Sequence, residues 1–254
     1  MFKCLSIFAM AMMIVSQAFC IETHVFVRAR AKDAKFLGSS IGGAHVIIRN
    51  KFNQQILAEG KTAGTPGNTA QIMDTARGRY ALMADAAAAK FDAVLNISEP
   101  TLVRIEVLAP ANHRQSQVNA AVEMWVIPGK HITGDGVILE IPGFIIDILS
   151  PRTHNYLRLS SLNSQPLTIQ ANIVMMCGCI IQKGGLWNGD KMEVKAIVKK
   201  NGQLLQEASM SCVADNLFEG KLHITEKGEY QVTVYAFDER SGNTGVDIVN
   251  FVVL

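Results

Sequence analysis

Cysteine, tryptophan and unbalanced charge are all in short supply. The chain has 5 cysteines and 2 tryptophans. No Cys-x-x-Cys occurs, so the usual spacing of a redox dithiol is missing. The 6 histidines are His24, His45, His113, His131, His154 and His223, and none has a partner at metal-ligand spacing. His-Glu-x-x-His is absent, which removes the common zinc-protease frame. There is no Gly-x-Ser-x-Gly elbow and no glycine loop followed by Lys-Ser/Thr for phosphate. Asp215, Asp238, Glu239 and Asp247 could gather near loops, but their spacing fits no calcium loop. Basic and acidic residues nearly cancel, 24 against 22, so the concentrated positive face that suits nucleic acid is lacking. No run after the first twenty residues is long and apolar enough to span a bilayer. Residues 138–149 come closest, and Glu140, Pro142, Gly143 and Asp147 interrupt them.

The opening of the chain does carry a signal. Lys3 precedes an apolar run from Leu5 to Val15, too short for an anchor. Ser16-Gln17-Ala18 then offers small residues where a signal peptidase reads, which predicts cleavage after Ala18. Cleavage after Cys20 is the alternative. Phe19 is bulky where lipid attachment to Cys20 would want a small residue. Residues 1–18 are therefore expected to be a signal peptide, and the mature chain periplasmic or secreted.

Apolar residues make up 49% of the chain, enough for a generous core, and most of the 20 glycines and 7 prolines fall between apolar runs. Period-two alternation marks residues 22–31, 44–49, 102–108, 118–127, 137–141 and 144–149 as strands. Residues 79–84 read as another short strand. Residues 84–92, ADAAAAKFD, are rich in the best helix former and predict a helical turn or two. Composition changes at Ser150-Pro151. From 167 a second strand series runs to the last residue, with a hairpin dipeptide at Asn201-Gly202. The expected organisation is all-β, with two β-sandwich domains after the signal peptide. The units are residues 19–150, a linker at 151–166, and residues 167–254.

The second unit carries a resemblance. Gly228-Glu229-Tyr230-Gln231-Val232-Thr233-Val234-Tyr235-Ala236-Phe237-Asp238, followed by Gly242-Asn243, resembles the end of bacterial immunoglobulin-like domains. There an aromatic-led strand ends in an acidic turn with a Gly-Asn pair. The resemblance covers roughly the last third of the chain and implies a fold, not a ligand. Gly43-Ala44-His45-Val46-Ile47-Ile48 and the glycine-rich loop after it more weakly resemble carboxypeptidase-regulatory-like and transthyretin-like sandwiches.

Chemistry concentrates in residues 172–188, NIVMMCGCIIQKGGLWN. On an extended strand Met175, Cys177 and Cys179 share one face. Residues 167–181 are expected to be one long strand or a strand with a bulge at Gly178. In an exported protein the default for these thiols is a disulfide, and Cys177, Cys179 and Cys212 are the candidates. A bridge from Cys177 or Cys179 to Cys212 would close about 35 residues and contribute about 3–4 kcal/mol by loop entropy. The sharper reading is a soft-metal site of Met175, Cys177, Cys179, Met210 and Cys212, suited to Cu(I). A redox-active thiol is a third reading, for which the sequence shows no activating base. Trp125 and Trp187 read as core or rim aromatics; the alternative for Trp187 is that it covers the Cys-Gly-Cys face.

No catalytic set emerges. The leading expectation is a non-enzymatic exported protein of the envelope or secretome, acting as a protein-binding or assembly module. Its partner would be another envelope or extracellular macromolecule, a protein, engaged through sheet edges or loops. The alternatives are a periplasmic copper-binding protein and an enzyme with a loop-assembled site.

Overall fold

The computed structural model describes residues 20–162 and 165–254. The expected signal peptide lies outside the described residues. Nearly every regular element is a strand. In the first half these are β1 (Ile21–Ala31), β2 (His45–Asn50), β3 (Ile56–Lys61), β4 (Phe91–Ile97), β5 (Thr101–Ala109), β6 (Val118–Val126) and β7 (Ile132–Ile141). They form two sheets, ordered β4-β1-β7 and β3-β2-β5-β6. Alternation explains which face turns inward: Val25, Val27, Ala29 and Ala31 of β1 are buried, as are Val103, Ile105, Val107 and Ala109 of β5.

The second half contains β8 (Phe144–Ser150), β9 (Asn155–Leu157), β10 (Leu167–Met175), β11 (Glu193–Lys200) and β12 (Gln203–Ser209). It continues with β13 (Ser211–Ala214), β14 (Leu217–Leu222), β15 (Gly228–Asp238) and β16 (Asn243–Val253). These make a sheet ordered β13-β14-β10-β8 and another ordered β12-β11-β15-β16-β9. The two sheets pack across Phe144, Ile146, Ile173, Phe218, Val232, Val234 and Phe251. One continuous apolar core joins the residues of all four sheets.

Four local expectations change. Sheet membership switches at Pro142-Gly143, one strand before residue 150: β8 pairs antiparallel with β10 (Ile146 opposite Ile173) and so sits in the second half. The interval 151–166 is not a bare linker, because β9 lies parallel to the end of β16, with Tyr156 opposite Val252. Residues 84–92 contain no helix; they turn, bridge and enter β4. Arg28 holds the Ala88 and Ala89 carbonyls at 2.6 and 2.9 Å, taking acceptors a helix would need, and tertiary contact overrides alanine's propensity. Residues 79–84 form a turn rather than a strand.

Candidate functional site

The sulfur-rich segment begins where β10 stops. Ile169, Ala171, Ile173 and Met175 alternate into the core, and then the strand ends instead of running to Ile181. The Gly178 N–H donates to the Met175 carbonyl at 2.7 Å, and the Met175 N–H to the Cys179 carbonyl at 3.3 Å. Gly178 sits at φ +75, in the left-handed region that glycine enters without steric cost. The turn brings the Cα atoms of Cys177 and Cys179 to 5.4 Å, and the two form a disulfide. Extended residues two apart would be about 6.6 Å apart, so the turn is what makes the bond possible.

The loop that follows is built on amides. Asn188 Oδ1 accepts from the N–H groups of Gly184 (2.9 Å) and Asp190 (3.0 Å), while the Gln182 carbonyl accepts from Gly185 and Gly189. This frame holds Trp187 so that its indole N–H donates to the Asp33 carbonyl at 2.8 Å. Gly178 meanwhile lies against Ile41. The Cys-Gly-Cys turn and the tryptophan loop thus rest on the turns that follow β1.

Between them opens a hollow of about 430 Å³, walled by Cys177, Cys179, Lys35, Pro66, Thr69 and Trp187 among others. Trp187 lines the same hollow as the disulfide. Lys35 Nζ donates to Thr69 Oγ1 at 3.0 Å. Beyond Trp187 the seam continues to a second hollow, about 470 Å³, with Arg30, Lys32, Asp33, Glu140 and Arg240. Arg30 and Glu140 pair there at 2.6 Å. Partial burial, with the Asp238 carboxylate nearby, raises the Asp33 carboxyl above its ordinary pKa. A separate hollow of about 390 Å³ on the five-stranded sheet, near His154, Tyr156, Gln231 and Asn250, contains no sulfur.

The five sulfur residues occupy two places. Met175, Cys177 and Cys179 are together at the seam. Met210 lies where the chain crosses between sheets, its N–H bonded to the Val194 carbonyl at 2.9 Å. Cys212, expected as the partner in a long-range bridge, is instead a buried free thiol that donates to the Ala214 carbonyl at 3.3 Å. It stands opposite Phe218, and Phe218 opposite Ala171, which puts two strand spacings (about 10 Å) between Cys212 and the body of β10. Burial, and then the Asp190 carboxylate, push the Cys212 thiol pKa up. The bridge that forms spans three residues and contributes about 1.6 kcal/mol by loop entropy, near half the value for a 15-residue loop. As bonded, Cys177 and Cys179 offer a metal no thiolate. Among the described residues no three His, Cys, Asp or Glu side chains gather as a metal site.

Sequence reasoning missed Lys35 and Asp33, because nothing in their spacing says that residues 33–41 face residues 177–187. It also missed a histidine pair. His24 and His131 stack edge to face at 5.3 Å, and His24 touches both Asp92 (2.9 Å) and Glu22 (3.0 Å). Strand pairing creates this cluster: His24 stands opposite Val94, next to Asp92's strand position, and Val25 opposite Ile132.

No family profile matches the chain, and no curated protein matches it. Among solved structures, an engineered protein matches with 16% identity and a TM-score of 0.33, over 51% of this chain and 24% of that one. The chain therefore spans about a quarter of that protein's length. The titin Z1Z2 domains, solved in complex with telethonin, match with 9% identity and a TM-score of 0.26, over 92% and 95% of the two chains. Likenesses of this size carry no argument about fold or function.

Proposed function

We propose that the chain is a non-enzymatic exported protein that binds another protein of the envelope or the extracellular space. In this reading residues 1–18 are removed as a signal peptide, and the four sheets serve as two tandem immunoglobulin-like sandwiches. The observation that supports it is the outer face of the five-stranded sheet. Ile248 (50% exposed) lies opposite Thr233, Val246 (46%) opposite Tyr235, and Phe237 (37%) beside them. On the next strand Ile197 stands opposite Thr233. Exposed apolar side chains gathered on neighbouring strands of one sheet face are the kind of surface that proteins cover with partners. The edge strand β12 adds Leu204 and Leu205, exposed beside unpaired backbone groups that another strand could meet.

The test is a paired capture experiment with the mature protein and its V246K/I248K variant as baits for envelope and extracellular proteins. Both positions are exposed, so the variant should fold with unchanged circular dichroism and melting temperature. A protein retained by the parent and lost by the variant supports the reading. Identical captured sets from the two baits would rule this face out. A mature N-terminus at Phe19, read by mass spectrometry, checks the export step.

A further inference from the structure

We propose that the Cys177–Cys179 bond is a thiol–disulfide exchange site, opened by an external thiol that enters the seam hollow and closed again by a disulfide oxidant. The proposal does not depend on the docking face above; it rests on four observations at the seam.

The bond closes the shortest practical ring, with Gly178 alone between the two cysteines. Chain-entropy stabilisation grows with loop length, so this bridge does less for the fold than any long-range bridge would. It is also placed for attack. Both sulfurs belong to residues lining an open hollow of about 430 Å³, within the range of small-ligand sites and roomy enough for a small peptide thiol. Cys179 is 8% exposed and Cys177 1%, so Cys179 is the more accessible residue of the two and is taken as the point of attack. Lys35 is the one charged side chain among the residues lining that hollow, and Thr69 steadies its ammonium. A nearby ammonium favours thiolate over thiol, which helps both the attacking group and the departing one. Finally, Cys212 is a free thiol in the same fold, bonded to the Ala214 carbonyl, and it is not among the residues lining that hollow.

The step balances as ordinary exchange. A thiolate, RS⁻, attacks Cys179 Sγ. The S–S bond breaks, its electron pair goes to Cys177 Sγ, and that thiolate takes a proton from solvent. A second RS⁻ attacks the R-bearing sulfur of the mixed disulfide, releasing RSSR and the Cys179 thiolate, which is protonated in turn. Two electrons and two protons have passed from two RSH to the protein. A disulfide oxidant reverses the sequence.

The experiment uses the folded mature protein without denaturant. It is treated with millimolar reduced glutathione, quenched, alkylated with N-ethylmaleimide and mapped by peptide mass. The expected result is that Cys177 and Cys179 become labelled together within minutes while Cys212 stays unlabelled. In the C177S variant oxidised glutathione should leave its adduct on Cys179. K35M should slow reduction by about fivefold, through loss of the positive charge that lines the hollow. Labelling of Cys177 and Cys179 only in urea, together with Cys212, would overturn the proposal, and it needs no variant to observe. Equal rates for K35M and the parent would overturn the role of Lys35.

Discussion

Asn243 accepts a hydrogen bond from the backbone N–H of Gly143 at 2.8 Å, at the point where the chain passes from β7 to β8. The same amide donates to the Lys32 carbonyl at 3.0 Å, and the residue is fully buried. One side chain therefore satisfies backbone groups from two distant segments. Replacing it with alanine strands a buried donor and a buried acceptor, each costing about 1–3 kcal/mol. N243A is expected to lose about 3 kcal/mol in urea denaturation, read at an unchanged m-value.

Arg28 makes a comparable joint in the first half. It is 2% exposed and donates to four backbone carbonyls, those of Ala88, Ala89, Gly134 and Asp135. Its guanidinium lies 5.6 Å from the Phe36 ring centre. Burial lowers its pKa, and Asp135 and Asp85 oppose that. A lysine cannot fan out to four acceptors, so R28K is expected to destabilise by about 2–3 kcal/mol. Tryptic cleavage at Lys90 should also speed up, since Arg28 holds that segment in place.

His24 gives the molecule a pH response. Hydrogen bonds that its ring donates to the Asp92 and Glu22 carboxylates raise its pKa, and both ring nitrogens are donors only in the imidazolium. A raised folded pKa means the contribution is complete below about 6.5, the unfolded value, and fades as pH rises through the folded one. Stability measured from pH 5 to 8 should fall more steeply for the parent than for H24Q. Parallel curves would contradict this.

Gly189 leaves no room beside Cys212. A methyl at position 189 would come within 2.9 Å of Cys212 Cβ and Sγ, and 3.2 Å of Phe218. G189A is expected to cost about 1–3 kcal/mol through overpacking. In a C212S background the γ atom is smaller, and the cost should drop by about 0.5–1 kcal/mol, a coupling that a double-mutant cycle of denaturation curves measures.

Alternation made most strands legible. Residues 102–108 read as a strand with one buried face, and Val103, Ile105 and Val107 are fully buried in β5. The Asn201-Gly202 hairpin also holds: both residues take positive φ between β11 and β12. Period-two patterns say nothing, however, about which sheet a strand joins. Residues 144–149 looked like a continuation of the strands before them, yet β8 hydrogen-bonds to β10. The sulfur segment failed for a different reason. Apolar character continues through residues 176–181, so pattern alone extends the strand, while the single left-handed glycine that ends it is visible in the sequence only as a tolerated bulge. The residues that complete the hollow come from more than a hundred positions away. Alanine at 84–89 misled because propensity is a local quantity and Arg28 is not a local neighbour.

In the five-stranded sheet β16 lies between β15 and β9, antiparallel to one and parallel to the other. β9 is made long before β16, and Phe251–Val253 are its registered partners. During synthesis the earlier strand has no place in this sheet until residues 251–253 arrive to pair with it. The sheet therefore closes around β9 only after residues nearly a hundred positions later have been made and paired with it.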